Sequence, residues 1–89
     1  MDGLAKKLGR LLLKKNLTLS ICESCTGGML GSIITEIPGS SKYFKGGIIA
    51  YSNEIKNKII GVKNKTLKNF GAVSSQTAKE MAHNIKKIT

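Results

Sequence analysis

The 89-residue sequence has no tryptophan, one proline, one histidine, one arginine and only five acidic residues, and its apolar runs are short. No run approaches the ~20 residues that cross a bilayer as a helix, which argues against an integral membrane protein. The opening stretch, MDGLAKKLGRLLLKK, is too interrupted for a signal peptide. With two cysteines and no export signal, we expect a small cytoplasmic domain whose thiols stay reduced.

Positive charge is the strongest compositional bias, with a formal net charge of +10 at neutral pH. Such a bias favours polyanions such as nucleic acids. However, the basic residues are almost all lysines, spread from Lys6 to Lys87, and arginine, which makes most bidentate base contacts, occurs once. Aromatic residues for base stacking are also few. We interpret the lysines as a solvated surface and keep a basic nucleic-acid-binding or polyanion-binding module as an alternative.

Apolar periodicity predicts four helices and two strands. In chain order they are a helix over 2–15 with Asp2 as its cap and Asn16 as its stop, a strand over 17–22, a helix over 26–36, a strand over 48–51 covered on both faces, a short helix over 54–60 capped by Ser52 or Asn53, and a last helix capped by Ser74 or Ser75. Residues 63–73 are predicted to be mostly loop. Because a helix joins the strands, the predicted fold class is α/β, a three-layer type of parallel βαβ unit with flanking helices.

Three reactive side chains are predicted to converge where the two strands end. Ser24 lies just after the first strand, Tyr51 ends the second, and Lys56 lies on the helix that follows. Parallel strands finish at the same edge of a sheet, and ligands of open α/β folds bind in the crevice beyond that edge. The topology therefore indicates a candidate site of Ser24, Tyr51 and Lys56.

Lys56 lies inside the apolar arc of its helix, because at about 100° per residue it falls between Ile59 and Ile60. A lysine held at a sheet edge in this way is partly desolvated, which lowers its pKa, as a lysine general base requires. The alternative is a lysine that extends its ammonium group to water from a half-buried stem. Spacing alone leaves both interpretations open.

The turn SCTGG, residues 24–28, leads into the second predicted helix. Its glycines let backbone N–H groups approach a ligand closely, and a helix N-terminus with unpaired donors suits a phosphate or a developing oxyanion. The pattern is weak evidence by itself, since glycines also serve tight packing of helix on strand. It is neither a Walker loop nor a G-x-S-x-G elbow.

The two cysteines, Cys22 and Cys25, have the spacing of a redox pair. Cys22 belongs to the alternation of a strand, however, where a cysteine is usually a small buried apolar residue. A zinc site would need two more ligands, and the single histidine, His83, is predicted to be exposed. We therefore predict no metal site and keep thiol redox chemistry as a minor alternative.

Four segments, ESCTGG, PGSSKYFKGG, AYSNEIKNKIIGV and LKNFGAVSSQTAKEMA, occur in this order. Together they resemble the C-terminal domain of the competence/damage-inducible protein CinA, a family that includes stand-alone nicotinamide-nucleotide amidases. The resemblance is strongest over residues 17–83. It implies hydrolysis of nicotinamide mononucleotide to nicotinate mononucleotide and ammonia, in pyridine-nucleotide salvage and without a cofactor.

The resemblance also implies roles for the converging side chains. Ser24 would be the nucleophile, Lys56 the base that takes its proton, and Tyr51 the residue that orients or relays that proton. Backbone donors of the turn would hold the oxyanion. The substrate-binding set that follows from the resemblance is Cys25, Thr26, Gly27, Gly28, Ser52 and Asn53.

The family domain that the sequence resembles continues for about as much chain again, with further strands, another glycine-rich segment and a late arginine. We therefore expect residues 1–89 to be the N-terminal half of such a domain, with strand edges and apolar faces left uncovered. This predicts a homo-oligomer or a complementing chain. The alternatives to an active amidase are a non-catalytic remnant and one piece of a split enzyme.

Overall fold

The computed structural model describes residues 2–89 and contains five α-helices, two strands and one short 3-10 turn. In chain order these are α1 (Asp2–Lys15), β1 (Leu19–Glu23), α2 (Met29–Thr35), the 3-10 turn (Ser40–Lys42), β2 (Phe44–Ile49), α3 (Asn53–Lys58), α4 (Asn64–Phe70) and α5 (Ser75–Ile88). The capping role predicted for the Asp2 side chain lies outside what the structure describes. Asn16 ends α1 as predicted, with a φ of 56°.

The two strands pair in parallel, which confirms the predicted βαβ unit and its α/β class. The second strand lies earlier than predicted, at Phe44–Ile49 instead of 48–51. Its side chains alternate between half-buried and exposed, so the prediction that both of its faces are covered is wrong. The apolar run IIAY gave the wrong strand bounds because only its first two residues belong to β2, and Ala50 and Tyr51 follow that strand.

The glycine pair in β2 explains how the strands fit together. Leu19 pairs with Phe44 but Ser20 pairs with Gly46, so the register shifts by one residue at this point. Gly46 takes a φ of 124°, which favours glycine, and the extra residue forms a bulge. A Cβ at Gly47 would collide with the carbonyl oxygen of Ile21. Both glycines are therefore required by backbone geometry.

The sheet separates two apolar clusters, because successive β1 side chains point to opposite faces. Ile21 packs against the first cluster, beside α1 and α2, and Cys22 packs against the second, beside α3, α4 and α5. The buried members of the first cluster are Leu12, Ile34 and Tyr43. Those of the second are Ala50, Ile60, Val62, Met81 and Ile85. The chain thus forms a helix–sheet–helix sandwich with a separate core on each face.

Two helices differ from the prediction. The second helix was expected over 26–36 but α2 begins at Met29, since the preceding residues form the turn that carries the candidate site. Residues 63–73 were expected to be mostly loop, but they contain α4 (Asn64–Phe70). In that segment, Thr66 and Leu67 pack inward, and Glu80 of α5 accepts a hydrogen bond from the backbone N–H of Lys63 at 3.0 Å. Tertiary contacts therefore stabilise a helix that has little apolar pattern of its own.

Of the caps left open by the sequence, the structure selects Ser52 and Ser74. The hydroxyl of Ser52 accepts from the N–H of Ile55 at 3.1 Å, and that of Ser74 accepts from the N–H of Thr77 at 3.2 Å. Ser52 fixes the start of the helix that carries Lys56. Each cap satisfies a backbone donor that would otherwise be unpaired.

Candidate active site

Ser24 directly follows β1 and lines a cavity of about 330 Å³. The other walls come from β1, the turn after it, α2, the turn between α4 and α5, and α5, namely Ser20, Ile21, Cys22, Cys25, Leu30, Ala72, Ala78, Met81, Ala82 and Ile85. The side chain of Ser24 is half-buried, so its hydroxyl has both a supporting wall and access from outside. The lining is mainly apolar, as in most small-molecule sites.

Lys56 is only 1% exposed, so the sequence-derived expectation of a desolvated lysine is met and the solvent-reaching alternative is wrong. Its Nζ donates a 2.8 Å hydrogen bond to the backbone carbonyl of Tyr51. Residues 52–55, which lie between Tyr51 and Lys56, are the Ser52 cap and the first turn of α3. The amine therefore folds back toward the segment that joins β2 to its own helix. A buried amine held at the carboxyl edge of a parallel sheet is the main electrostatic feature of this edge.

The positions of Ser24 and Lys56 are related through Cys22. Cys22 lines the same cavity as Ser24, and the positive charge of Lys56 acts on the pKa of its thiol. Burial raises the pKa of the Cys22 thiol, and the positive charge of Lys56 opposes part of that rise. In residues 2–89 the amine donates its hydrogen bond to Tyr51 and not to Ser24.

Tyr51 contributes differently from what the sequence suggested. Its phenol side chain is 75% exposed, and it is the backbone carbonyl that contacts Lys56. Tyr51 also lies two residues beyond the end of β2 and so is not its last residue. Periodicity carries no information about a backbone carbonyl, so the sequence did not predict this contact.

Glu23 is a site residue that the sequence reasoning missed. It is 7% exposed and its carboxylate turns toward α2, where it accepts from the N–H of Leu30 at 2.7 Å and the N–H of Gly31 at 3.3 Å. It also accepts from the hydroxyl of Thr26 at 2.9 Å. The carboxylate thus caps α2 from a distance along the chain. The signal that could have found it is an acidic residue just ahead of a helix that lacks a polar cap.

The pKa of Glu23 reflects two opposing effects. Burial alone would raise the pKa of this carboxyl, but the hydrogen bonds from Leu30, Thr26 and Gly31 outweigh burial and hold the pKa below its usual range. Glu23 is therefore a fixed negative charge beneath the turn that carries Ser24. The hydrogen bond from Thr26 ties that turn to the end of β1.

The remaining predicted binding residues differ in the contacts that they make. Thr26 and Ser52 use their hydroxyls within the protein, on Glu23 and on the start of α3. In the described chain the backbone N–H groups of Thr26, Gly27 and Gly28 donate to no protein acceptor, whereas those of Leu30 and Gly31 are taken by Glu23. Donors for an anionic oxygen at this edge are therefore in the turn itself, and not in the first turn of α2. Asn53 and Cys25 are exposed.

Both cysteines are present as thiols, with Cys25 exposed and Cys22 half-buried. Within residues 2–89, no three His, Cys, Asp or Glu side chains lie together in a way that could hold a metal ion. His83 is exposed, as the sequence indicated. None of the helices between Asp2 and Ile88 combines the length and apolar character that a bilayer crossing requires.

Comparison with known proteins places these features in a family. The family model for the CinA C-terminal domain matches residues 1–89. A CinA-like protein of Endomicrobium trichonymphae is 56% identical over 88 residues, which cover 99% of this chain and 21% of the relative. A CinA-like protein of Thermotoga neapolitana is 52% identical over 80 residues, which cover 90% of this chain and 20% of the relative.

Solved structures agree with the sequence relatives. A CinA superfamily protein from Enterobacter cloacae matches at a TM-score of 0.95 and 38% identity, covering 98% of this chain and 52% of its own. The competence/damage inducible protein CihA from Agrobacterium tumefaciens matches at 0.91 and 40% identity, covering 98% and 53%. The chain spans about a fifth of the length of the sequence relatives and about half of the solved chains. The predicted resemblance is confirmed, and the chain belongs to the CinA C-terminal domain family.

Proposed function

We propose that this chain carries the catalytic residues of a nicotinamide-nucleotide amidase, which converts nicotinamide mononucleotide to nicotinate mononucleotide and ammonia. The observation that carries the proposal is the buried amine of Lys56 at the sheet edge where Ser24 lines a cavity. An amide hydrolysis of this type needs a nucleophile, a base and donors for an oxyanion, and each has a candidate at this edge. The resemblance of the four sequence segments to the family supplies the substrate.

In the proposed mechanism, Lys56 reacts as the neutral amine that its ammonium group becomes on losing one proton. Its hydrogen bond to the Tyr51 carbonyl uses one N–H and leaves the nitrogen lone pair for the proton of Ser24. The serine oxygen then attacks the carboxamide carbon, and the resulting oxyanion accepts from N–H groups of Thr26–Gly28. The phenol of Tyr51, which is exposed, rotates inward to relay or orient the proton.

The remaining steps return the site to its starting state. The protonated Lys56 gives its proton to the departing nitrogen, the C–N bond breaks, and ammonia leaves an acyl-enzyme ester on Ser24. A water molecule attacks this ester while Lys56 accepts its proton. Collapse of the second intermediate breaks the bond to the Ser24 oxygen, which regains a proton from Lys56, and releases the nicotinate product.

Ammonia release from nicotinamide mononucleotide tests this proposal directly. Removing the nucleophile in Ser24→Ala is expected to lower kcat by about 10³-fold or more, as in other serine acyl-transfer enzymes. Lys56→Met should have an effect of similar size. Ser32→Ala, an exposed serine on α2, is the matched control and should leave the rate unchanged. A wild-type rate equal to that of Ser24→Ala would contradict amidase activity in this chain.

We also propose that the working site is completed by a second chain, either another copy of this one or a polypeptide that carries the rest of a family domain. The apolar surface that α1 exposes supports this proposal. The exposed apolar residues of α1 are Leu4, Leu8, Leu11 and Leu13. Native mass spectrometry with and without nicotinamide mononucleotide would show the assembly. A monomer that gains no activity from the added half would instead identify a non-catalytic remnant.

A further inference from the structure

The turn between α4 and α5, Gly71–Ser74, is built around one carbonyl group. The carbonyl oxygen of Gly71 accepts from the hydroxyl of Thr77 at 2.7 Å and from the hydroxyl of Ser74 at 2.9 Å. The two hydroxyls are themselves 3.0 Å apart. Thr77 is fully buried, whereas Ser74 and Gly71 are half-buried. Capping of α5 requires only that Ser74 accept from the Thr77 N–H, and does not account for the two bonds to Gly71.

Gly71 itself has an unusual backbone, with φ of 83° and ψ of 167°. This region is accessible almost only to glycine. A Cβ at this position would nevertheless meet no atom within 4 Å. Space does not explain the glycine here, so the conformation of the turn is what requires it. The network on the Gly71 carbonyl holds the chain in that conformation.

The conformation of the turn decides where Ala72 lies. Ala72 follows the held carbonyl and lines the same cavity as Ser24, on the side formed with α5. Val73, the next residue, is 85% exposed, so the turn presents an apolar side chain outward instead of burying it in a core. The turn therefore forms one wall of the cavity as well as linking α4 to α5.

We propose that Thr77 and Ser74 are positioning residues for the Ser24 site. By fixing the Gly71 carbonyl, they hold Ala72 as the cavity wall that confines the pyridine ring of the substrate while its carboxamide meets Ser24. This inference rests on the proposed amidase function. It adds residues that touch neither substrate nor reacting atoms but act through Ala72.

Two variants of Thr77 separate this role from packing. Thr77→Val keeps the shape and removes the hydroxyl, whereas Thr77→Ser keeps the hydroxyl and removes a methyl group. We expect Thr77→Val to raise KM for nicotinamide mononucleotide about five- to tenfold with kcat within about threefold, since one hydrogen bond that orients the wall is lost. Thr77→Ser should stay within about twofold in both. Equal losses in the two variants, or an unchanged KM in a folded Thr77→Val, would overturn the inference.

Gly71→Ala is the second variant, for use if Thr77→Val does not fold. Its added methyl group meets open space, so a raised KM would come from the altered backbone alone. An unchanged KM in this folded variant would also count against the inference.

The positioning role has a readout that does not require activity. If the wild type releases no more ammonia than Ser24→Ala, the amidase proposal fails for this chain. The amide resonances of Ser24, Cys25 and Ala72 in two-dimensional NMR spectra then decide the question. We expect Thr77→Val to shift or broaden them and Thr77→Ser to leave them in place. Unchanged resonances in Thr77→Val would refute the positioning role independently of catalysis.

Discussion

Replacing Lys56 by methionine should stabilise the protein and, under the proposed mechanism, strongly lower the rate of ammonia release. The amine is 1% exposed and makes one hydrogen bond, to the Tyr51 carbonyl at 2.8 Å. Burying a charged group costs several kcal/mol even after the surroundings relax. A hydrogen bond from a charged donor returns only about 1.5–3 kcal/mol. Methionine has a similar length and no charge, so we expect Lys56→Met to gain about 1–3 kcal/mol in the free energy of unfolding.

Lys58 provides the control on the same helix. Its side chain is 68% exposed and forms a 3.1 Å salt bridge with Glu54 one turn away. Exposed pairs of this kind contribute about 0–1 kcal/mol, so Lys58→Met should change stability little. Urea unfolding of the two variants and the wild type measures the difference. The reasoning is wrong if Lys56→Met lowers the free energy of unfolding by more than about 1 kcal/mol relative to wild type while Lys58→Met does not, because the amine is then structural.

The same substitution gives an electrostatic check through Cys22. The charge of Lys56 lowers the pKa of the Cys22 thiol against the larger effect of burial, which raises it. Removing that charge should therefore move the pKa of Cys22 further upward. Thiol reactivity measured against pH, in a Cys25→Ser background that leaves one thiol, would show the curve displaced to higher pH. A curve that does not move would mean that the amine near Cys22 carries no charge.

Two further predictions concern the fold around the site. Because hydrogen bonds hold the pKa of Glu23 below its usual range, its stabilisation is complete above the pKa of an unfolded glutamate and is lost as pH falls through the folded pKa. Glu23→Gln should thus cost about 1–2 kcal/mol at pH 7 and progressively less toward pH 3 in urea titrations, whereas the exposed control Glu36→Gln should show neither effect. Gly9→Ala gains about 1 kcal/mol of helix propensity, but its Cβ would lie 2.5 Å from the buried hydroxyl of Tyr43. Overpacking of about 1–3 kcal/mol should therefore leave Gly9→Ala less stable than Gly3→Ala, whose Cβ meets no atom within 4 Å. Equal thermal midpoints for the two alanine variants would contradict the collision.

The sequence predicted the topology because the strands and the helix between them have distinct periods. Alternation located β1 within two residues, and the helix between the strands required them to be parallel. The same logic brought Ser24 and Lys56 to one edge. Spacing did not settle the burial of Lys56, because it left open a lysine that extends its ammonium group to water.

What the sequence could not predict depends on contacts between distant segments. α4 forms because Glu80 of α5 and the second core support it, and neither is visible in a local pattern. Glu23 reaches past a turn to cap α2, a contact that spans seven residues to Leu30. The bond from Lys56 to the Tyr51 carbonyl involves a backbone atom, for which residue type gives no signal.

The division of the interior by a sheet of only two strands has a consequence for motion. The cluster around Tyr43 and the cluster around Val62 lie on opposite faces of β1 and β2, so the layer of α1 and α2 can open separately from the layer that holds Lys56. Cooperative units of this kind exchange their amide hydrogens at separate rates. The N-terminal layer can therefore open against its neighbours, or exchange partners in an assembly, while Lys56 stays buried.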